Sequence, residues 1–403
     1  MPKHPSTAYA MQLLKRLCAM EPDRHPGSAG NRAATDMVQS HMEAQGWTVV
    51  SPEFKCIDWE AGSAELHAGE MEYTVLPGPY SLPCDISAPL IAASTPEELE
   101  LIDVSGKILL LHGDIAREQL MPKNFVFYNP VHHQRIYEAI EQQHPEAVIA
   151  ATERNPELAG SAYPFPLFED GDFDIPNAYM KDVDGNALLP HLGEMVHLRF
   201  TSRRIPAVGC NVIATKRGTS AKHVVVSAHI DAKRGTPGAC DDGSGVVIQM
   251  LLAEMLRNTE LPVTVELAVL NGEDYYSAPG QMLYMQDQDW SGMLLNINID
   301  GVGPKGSGSA YSLHACPDAV RGKIDSAAGK HAAVVPGSAW QQGDHMIFVM
   351  NGVPAMAITS EDMETVWTEI AHTAADNPSI IDARNMITVA SFVQDVILSL
   401  PAG

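Results

Sequence analysis

The 403-residue sequence is poor in positive charge, because 26 Lys and Arg stand against 50 Asp and Glu and leave a formal net charge of −24. This balance argues against a nucleic acid partner, since binding phosphate groups needs a basic surface and the mean field of this chain repels polyanions. An anionic membrane surface is disfavoured for the same reason. The acidity does not predict disorder, because 45 % of the residues are hydrophobic and supply the apolar surface that offsets chain entropy.

Long hydrophobic runs and paired cysteines are also missing. No window approaches the roughly 18 uncharged apolar residues of a membrane span, and no apolar segment of a signal peptide follows Met1–Pro5. We therefore expect a soluble, unsecreted, cytoplasmic protein. The six cysteines are scattered without a C-x-x-C pair, which fits reduced thiols better than a disulfide frame or a cysteine-zinc site. No G-x-S-x-G segment occurs, which argues against a serine hydrolase.

The patterns along the chain indicate two domains. Residues 8–47 are typical of two helices separated by a loop. From about residue 76, prolines and short strands around one helix near 131–143 indicate a small α+β module. After Pro206, apolar runs alternate with helical stretches such as Gly243–Leu256. The runs that predict strands are Val224–Ser227, Val263–Leu270, Met293–Ile299 and Ala355–Ile358.

This alternation predicts an α/β layered fold with a largely parallel sheet. We assign residues 1–75 and 206–403 to one discontinuous domain and residues 76–205 to an inserted α+β domain. Functional residues of such a sheet are expected just past the carboxyl ends of its strands.

Titratable side chains follow the predicted strands at these positions. Each has an ordinary explanation when taken alone, such as a helix N-cap for the adjacent acids in the turn Gly238–Gly245. Their joint placement is what points to a site. The residues concerned are His229, Asp241, Asp274, Asp300 and His372.

Two neutral imidazoles and three carboxylates match the ligand preferences of a pair of divalent ions about 3.5–4 Å apart. We expect zinc, with cobalt and manganese as alternatives. In an extended segment His229 and Asp231 point the same way, so the acid can hydrogen-bond the ring nitrogen not used for metal.

The ordered motifs S-A-H-I-D, G-A-C-D-D-G-S-G, N-G-E-D, N-I-D-G and A-H-T-A-A-D resemble those of family 28 of the metallopeptidases. This family holds di-zinc aminopeptidases with glutamate carboxypeptidase and glutaminyl cyclase relatives. The resemblance extends to the N-terminal helices and the loop Arg24–Ser28. It implies a three-layer zinc-exopeptidase-type fold, with a mostly parallel mixed sheet flanked by helices.

The resemblance also implies how the metal ligands divide. His229 and Asp300 would bind one metal, Asp274 and His372 would bind the other, and Asp241 would bridge them.

Two catalytic roles follow from the same resemblance. Glu273 would be the general base, and Asp231 would orient His229. Asp242 is assigned provisionally to the metal centre or its rim.

The sequence departs from the family pattern at two positions. Asp274 replaces the second acid of the usual Glu-Glu pair and is one methylene shorter, which puts occupancy of the second metal position in doubt. Ala371 stands where a Tyr often precedes the final His. His345 is a candidate to supply that missing contact to the substrate, and Tyr275 is a candidate to line the pocket; a structural role is as good an interpretation for both.

The inserted domain is similar to the protease-associated domain that is often inserted in this family, which implies that it covers or narrows the active-site entrance. Its histidines, His132, His133 and His144, are expected to face solvent on a helix. The three segments that carry the similarity are Val104–Leu111, Ala147–Ala151 and Ile175–Tyr179.

We therefore expect a di-metal exopeptidase, and first of all an aminopeptidase that acts on a peptide or an amino-acid amide. The alternatives are a single-metal acyltransferase of the glutaminyl cyclase type, a carboxypeptidase or amide hydrolase of the family, and a non-enzymatic binding protein on the same fold. The negative field favours cationic amines over acidic peptides as substrates. Whether the chain forms a homo-oligomer stays open.

Overall fold

The computed structural model describes residues 5–154, 160–286 and 288–401, and these residues form two compact units. The main unit holds the described residues up to Cys56 and those from Val208 onward, and the inserted unit spans Ile57–Ala207. We predicted the first boundary at residues 75/76, which falls inside the inserted unit because Leu66–Ala68 pair there with Met71–Tyr73. The second boundary lies between Ala207 and Val208 in the structure, and we predicted it between residues 205 and 206.

The secondary structure of the described residues alternates between strands and helices. The strands are β1 (Thr48–Val50), β2 (Glu53–Ala68), β3 (Met71–Tyr73), β4 (Leu76–Pro77), β5 (Cys84–Ala93), β6 (Ile108–Leu111), β7 (Ala147–Thr152), β8 (Asn177–Lys181), β9 (Met195–Cys210), β10 (Val212–Lys216), β11 (Ser220–His229), β12 (Val263–Leu270), β13 (Met293–Ile299), β14 (Ser309–His314), β15 (Val334–Pro336) and β16 (Ala355–Ser360). The helices are α1 (Thr7–Cys18), α2 (Ala29–Ala44), α3 (Pro96–Leu101), α4 (Val131–Gln143), α5 (Asp182–Leu188), α6 (Ser244–Leu256), α7 (Pro279–Gln286), α8 (Asp318–Ala328), α9 (His345–Met350), α10 (Met363–Thr365) and α11 (Ala383–Ser399). Single helical turns lie at Gly113–Ala116, Leu189–His191, Ala239–Gly243, Trp290–Gly292, Val366–Ile370 and Pro378–Ile380.

The main unit is built on an eight-stranded mixed sheet in the order β1-β10-β12-β11-β13-β16-β14-β15. The central strands β12, β11, β13 and β16 run parallel, and antiparallel pairs flank them on both sides. Strands β12 and β13 begin and end at the predicted residues. The predicted α/β fold with a mostly parallel mixed sheet is confirmed.

Helix α6 is the central helix of the main unit. Most of its residues are apolar, without a polar side, and Glu254 alone among them is partly exposed. A helix without a polar face has to be buried on all sides, and α6 packs against β11 and against helices α1, α2 and α11. Because α6 directly follows the turn Ala239–Gly243, this packing fixes one end of that turn.

The inserted unit has its own eight-stranded sheet, in the order β3-β2-β9-β5-β6-β7-β8-β4. Strands β5 to β8 are parallel, and β6 and β7 are fully buried between two apolar clusters. Helix α4 spans the predicted residues. The likeness to a protease-associated domain stays a prediction. None of the helices in the described ranges is long and apolar enough to cross a membrane.

A glycine is required where the start of α6 passes the end of β13. A Cβ atom on Gly245 would lie 2.4 Å from the carbonyl oxygen of Ile299 and 2.5 Å from both carboxylate oxygens of Asp242. Backbone has to move to relieve such contacts. We therefore expect Gly245→Ala to lower the free energy of unfolding by ~2 kcal/mol.

Gly322→Ala is the matched control, because nothing lies within 4 Å of a Cβ atom at that position in α8. This substitution should raise the free energy of unfolding by ~0.5–1 kcal/mol, since alanine is the better helix former. Urea denaturation followed by circular dichroism measures both changes. A Gly245→Ala protein as stable as the wild type would contradict the close approach.

Candidate functional site

Five titratable side chains converge beyond the carboxyl ends of the parallel strands. This edge of an α/β sheet is where such folds place their sites. The five are His229 at the end of β11, Asp241 in the turn before α6, Asp274 after β12, Asp300 after β13 and His372 after β16.

The side chains form two groups that share Asp241. Nε2 of His229 lies 3.1 Å from Oδ1 of Asp241 and 3.8 Å from Oδ1 of Asp300. Nε2 of His372 lies 3.3 Å from Oδ2 of Asp241 and 3.0 Å from Oδ1 of Asp274. Within each group, one potential ligand atom from each of the three residues lies within 4.8 Å of the others. The structure thus brings together all five residues that the sequence predicts as ligands.

The donor atoms of this cluster fit a divalent cation. His229 is buried, and neither of its ring nitrogens has an aligned hydrogen-bond partner among the described residues; the same holds for Oδ2 of Asp274. Leaving a buried polar atom unpaired costs about 1–3 kcal/mol, and neighbouring buried carboxylates repel each other. A cation that imidazole nitrogens and carboxylate oxygens coordinate removes both penalties. The role of the five residues as metal ligands stays a prediction.

Without a cation, the two imidazoles retain protons. Burial lowers the pKa of His229, but contacts with Asp231, Asp241 and Asp300 outweigh it and raise that pKa well above its usual value. Burial also opposes protonation of His372, yet its acidic neighbours Asp274 and Asp241 raise its pKa to about 10. His372 is held in the left-handed conformation, with φ at 62°, which a non-glycine residue adopts only when its surroundings impose it.

Asp376 fixes the turn that carries Asp241, and sequence reasoning missed it. Its Oδ1 accepts a hydrogen bond from the backbone N–H of Cys240 at 2.6 Å, and its Oδ2 accepts one from the N–H of Asp241 at 3.0 Å. Burial, reinforced by the charge of Asp241, raises the pKa of Asp376 to about 7. The sequence signal for Asp376 was its place at the end of the motif A-H-T-A-A-D.

Asp231 organises the loop after β12. Its Oδ1 accepts from the backbone N–H groups of Gly272 and Glu273 at 2.6 and 3.3 Å, and its Oδ2 accepts from that of Asp274 at 2.9 Å. Its Oδ1 lies 3.6 Å from Nδ1 of His229, which is longer than a hydrogen bond. The two side chains are within ion-pair range, and the orienting role of Asp231 toward His229 stays a prediction.

Two further buried residues hold the main chain around the cluster. Asp242 belongs to neither ligand group, and its carboxylate accepts from the N–H groups of His229 and Gly245 at 3.2 and 2.9 Å. Arg24 donates from its three guanidinium nitrogens to the carbonyl oxygens of Ile230, Pro237 and Gly238 at 2.8, 2.6 and 2.8 Å. The N-terminal loop therefore fixes both ends of the loop between Asp231 and Asp241.

The predicted base, Glu273, is partly exposed beside the cluster. Burial raises the pKa of its carboxyl well above the usual range, with Asp274 and Asp300 acting in the same direction and His229 opposing them. Glu273 precedes the ligand Asp274, and hydrogen bonds to Asp231 hold both backbone N–H groups.

The two predicted substrate residues lie outside both ligand groups. His345 begins α9 and is fully buried; its Nε2 donates to the carbonyl oxygen of Trp340 at 2.9 Å. Burial lowers the pKa of His345 to about 4, so the ring is neutral at physiological pH. Tyr275 is buried with its ring centroid 4.6 Å from that of Tyr276. Their contacts to substrate stay predictions.

A third group of potential ligands, Glu118, His132 and His133, lies in the inserted unit. The expectation that His133 faces solvent is wrong: the ring is buried and its Nδ1 accepts from the backbone N–H of Met121 at 3.0 Å. The neutral ring therefore carries its proton on Nε2, which lies 3.2 Å from Oε1 of Glu118. This arrangement leaves His133 no lone pair for a metal, because Nδ1 accepts and Nε2 donates. His144 is exposed, as predicted.

The pKa shifts predict how pH affects the metal-free protein. The raised pKa of Asp376, about 7, means that the folded state binds more protons than the unfolded state between about pH 4 and 7. Stability falls across that window as pH rises. The raised pKa of His372, about 10, extends the loss from about pH 6.5 to 10, because protonation of this residue stabilises the fold below its folded pKa.

Urea unfolding in a chelating buffer at several pH values measures this dependence. The matched variant Asp376→Asn cannot titrate at this position, so its stability should fall less steeply than that of the wild type between pH 4 and 7. Equal slopes for the two proteins in that window would contradict the assignment.

Residues 211–397 match the sequence pattern of peptidase family M28. The "Probable lipoprotein aminopeptidase LpqL" of Mycobacterium tuberculosis is 25 % identical over 291 residues, which cover 69 % of this chain and 54 % of that protein. Leucine aminopeptidase 2 of Arthroderma otae is 24 % identical over 323 residues, which cover 73 % and 59 % of the two chains. The chain thus spans a little over half the length of these two relatives.

Solved structures share the fold. BSAP, a zinc aminopeptidase from Bacillus subtilis, superposes with a TM-score of 0.77 at 20 % identity, covering 98 % of this chain and 95 % of that one. The glutaminyl cyclase of Porphyromonas gingivalis gives a TM-score of 0.52 at 16 % identity, covering 97 % of each chain. The segment 211–397, which carries all five converging side chains, is therefore a peptidase family M28 domain.

Proposed function

We propose that this protein is a zinc-dependent aminopeptidase that uses two divalent ions. The observation that carries the proposal is the shared carboxylate: Asp241 directs one oxygen toward His229 and the other toward His372. A bridging carboxylate of this kind is suited to two adjacent ions. The matched relatives from Mycobacterium tuberculosis and Arthroderma otae are both named aminopeptidases, and BSAP is described as a zinc aminopeptidase.

Each ion would have one imidazole and one carboxylate of its own. His229 and Asp300 would hold the first ion, His372 and Asp274 would hold the second, and Asp241 would contribute to both. Bound divalent ions lower the pKa of water toward neutrality and polarise a carbonyl oxygen. The backbone contacts of Asp231, Asp242 and Asp376 keep the ligand-bearing loops in place.

Glu273 is the proposed proton carrier of the reaction. As general base it accepts a proton from the attacking water, and as general acid it then returns that proton to the leaving amine. Its raised pKa suits the first step, because a carboxylate of higher pKa is a stronger base toward the attacking water. The partly exposed position beside Asp274 gives it access to solvent and substrate.

The charge of the protein favours a substrate with a free amino group. The chain carries a formal net charge of −24, and Glu273 adds a carboxyl group beside the cluster. An α-ammonium group is attracted to such surroundings, whereas an acidic side chain is repelled. We therefore assign the protein to peptides or amino-acid amides with neutral or cationic N-terminal residues.

A glutaminyl-cyclase-like acyl transfer is the second candidate. Asp274, one methylene shorter than the glutamate usual in the family, favours it because a weaker second position leaves a single ion. The fold is shared with solved glutaminyl cyclases. The metal content of the active protein, measured by native mass spectrometry, separates the candidates: two ions favour the aminopeptidase, and one ion with formation of pyroglutamate favours the cyclase.

Glu273→Gln tests the proposed proton carrier. The amide cannot accept a proton, so kcat for an aminoacyl p-nitroanilide should fall by ~10²–10⁴-fold, while the zinc content per chain stays at the wild-type value. Glu369→Gln is the matched control, because Glu369 is exposed and lies outside the ligand groups. Its activity should equal that of the wild type, and near-normal turnover by Glu273→Gln would refute the role of Glu273.

A further inference from the structure

A lysine lies directly against one of the two ligand groups. Lys233 follows β11, and its Nζ donates to the backbone carbonyl oxygen of Asp274 at 2.9 Å. The same Nζ lies 4.0 Å from the carboxylate oxygen Oδ1 of Asp274, which itself lies 3.0 Å from Nε2 of His372. A positive charge is therefore held beside an oxygen that is proposed to bind an ion.

The position of this charge is constrained. The side chain of Lys233 is 22 % exposed and that of Asp274 is 5 % exposed, so solvent screens their interaction only in part. The hydrogen bond to the main chain of Asp274 ties the ammonium group to the loop whose N–H groups Asp231 binds. To move away from the ligand group of Asp241, Asp274 and His372, Lys233 has to break that hydrogen bond.

Among the described residues, no lysine or arginine pairs with the ligand group of His229, Asp241 and Asp300, which we call the first group. Within the described part of the chain, Asp300 forms an ion pair with His229 and with no lysine or arginine. The two groups have the same types of ligand, since each combines one imidazole and one carboxylate with the shared Asp241. The charge of Lys233 thus distinguishes two positions that have the same types of ligand.

We propose that Lys233 makes the two ion positions unequal, so that they fill in sequence: first the position at His229 and Asp300, then the position at Asp274 and His372. This inference rests on the proposed function. A unit positive charge a few ångströms from a divalent ion weakens its binding by a factor on the order of 10, even at the dielectric constant of water. The second ion then binds and leaves over a range of zinc concentrations in which the first stays bound, so the availability of metal regulates the enzyme.

Zinc titration of the metal-free protein, in competition with a chromophoric chelator, tests this inference. The wild type should bind two ions with different affinities, and His372→Ala should abolish the weaker event. Lys233→Met should tighten the weaker event by ~10-fold and leave the tighter event within about twofold. Circular dichroism of the metal-free variants establishes that each is folded.

Two matched variants separate the charge of Lys233 from its other properties. Lys233→Arg keeps the charge, and Arg234→Met removes the same charge from the exposed neighbouring residue. Both should leave the two affinities within about twofold of the wild-type values. Equal tightening by Lys233→Met and Arg234→Met would show a general charge effect and overturn the proposal.

The remaining outcomes are also decisive. Weaker or unchanged binding of the second ion by Lys233→Met would make the lysine a clamp for the loop and overturn the inference, while two bound ions would leave the proposed function intact. One bound ion in the wild type and two in Lys233→Met support the inference. Two ions of equal affinity in the wild type contradict it, and so does one bound ion in both proteins. No zinc binding by the folded wild type would overturn the proposed function itself.

Discussion

A cluster of buried carboxylates at one end of the sheet is the main physical constraint on the main unit. Asp241, Asp274 and Asp300 share one end of the sheet with only two imidazoles among them. Like charges at such distances destabilise the fold unless protons or cations compensate them. The raised pKa values of His229 and His372 have the same cause, because a proton on each ring compensates part of this negative charge.

A second set of buried acids holds this arrangement in place through the main chain. Asp231, Asp242 and Asp376 each accept hydrogen bonds from backbone N–H groups of the loops that carry the ligands. These hydrogen bonds set the direction of the ligand-bearing loops. The ligand acids can therefore keep their oxygens for a cation, since other acids satisfy the backbone around them.

Much of this could be predicted from the sequence, for a physical reason. Strands β12 and β13 are continuous apolar runs ended by polar residues, so their limits and the placement of Asp274 and Asp300 after them follow from burial alone. Convergence then follows from the topology, because the carboxyl ends of parallel strands meet at one edge of the sheet. Pattern alone thus identified the five converging side chains.

The contacts that support those side chains could not be predicted in the same way. Asp376 acts on Cys240 and Asp241, which are more than 130 residues away in the chain, and no local spacing indicates that pairing. Asp231 likewise accepts from the N–H groups of Gly272 and Asp274, more than 40 residues away in the chain. Long-range hydrogen bonds of this type depend on loop conformation, which hydrophobic periodicity does not determine.

The central claim is that divalent ions balance the buried carboxylates at the end of the sheet. Crystals of the protein soaked in zinc chloride, with anomalous diffraction recorded on both sides of the zinc absorption edge, test it most directly. The account predicts two zinc peaks that share the carboxylate of Asp241, one with His229 and Asp300 and the other with Asp274 and His372. Zinc absent from both positions, in crystals where the same residues are ordered, would contradict it.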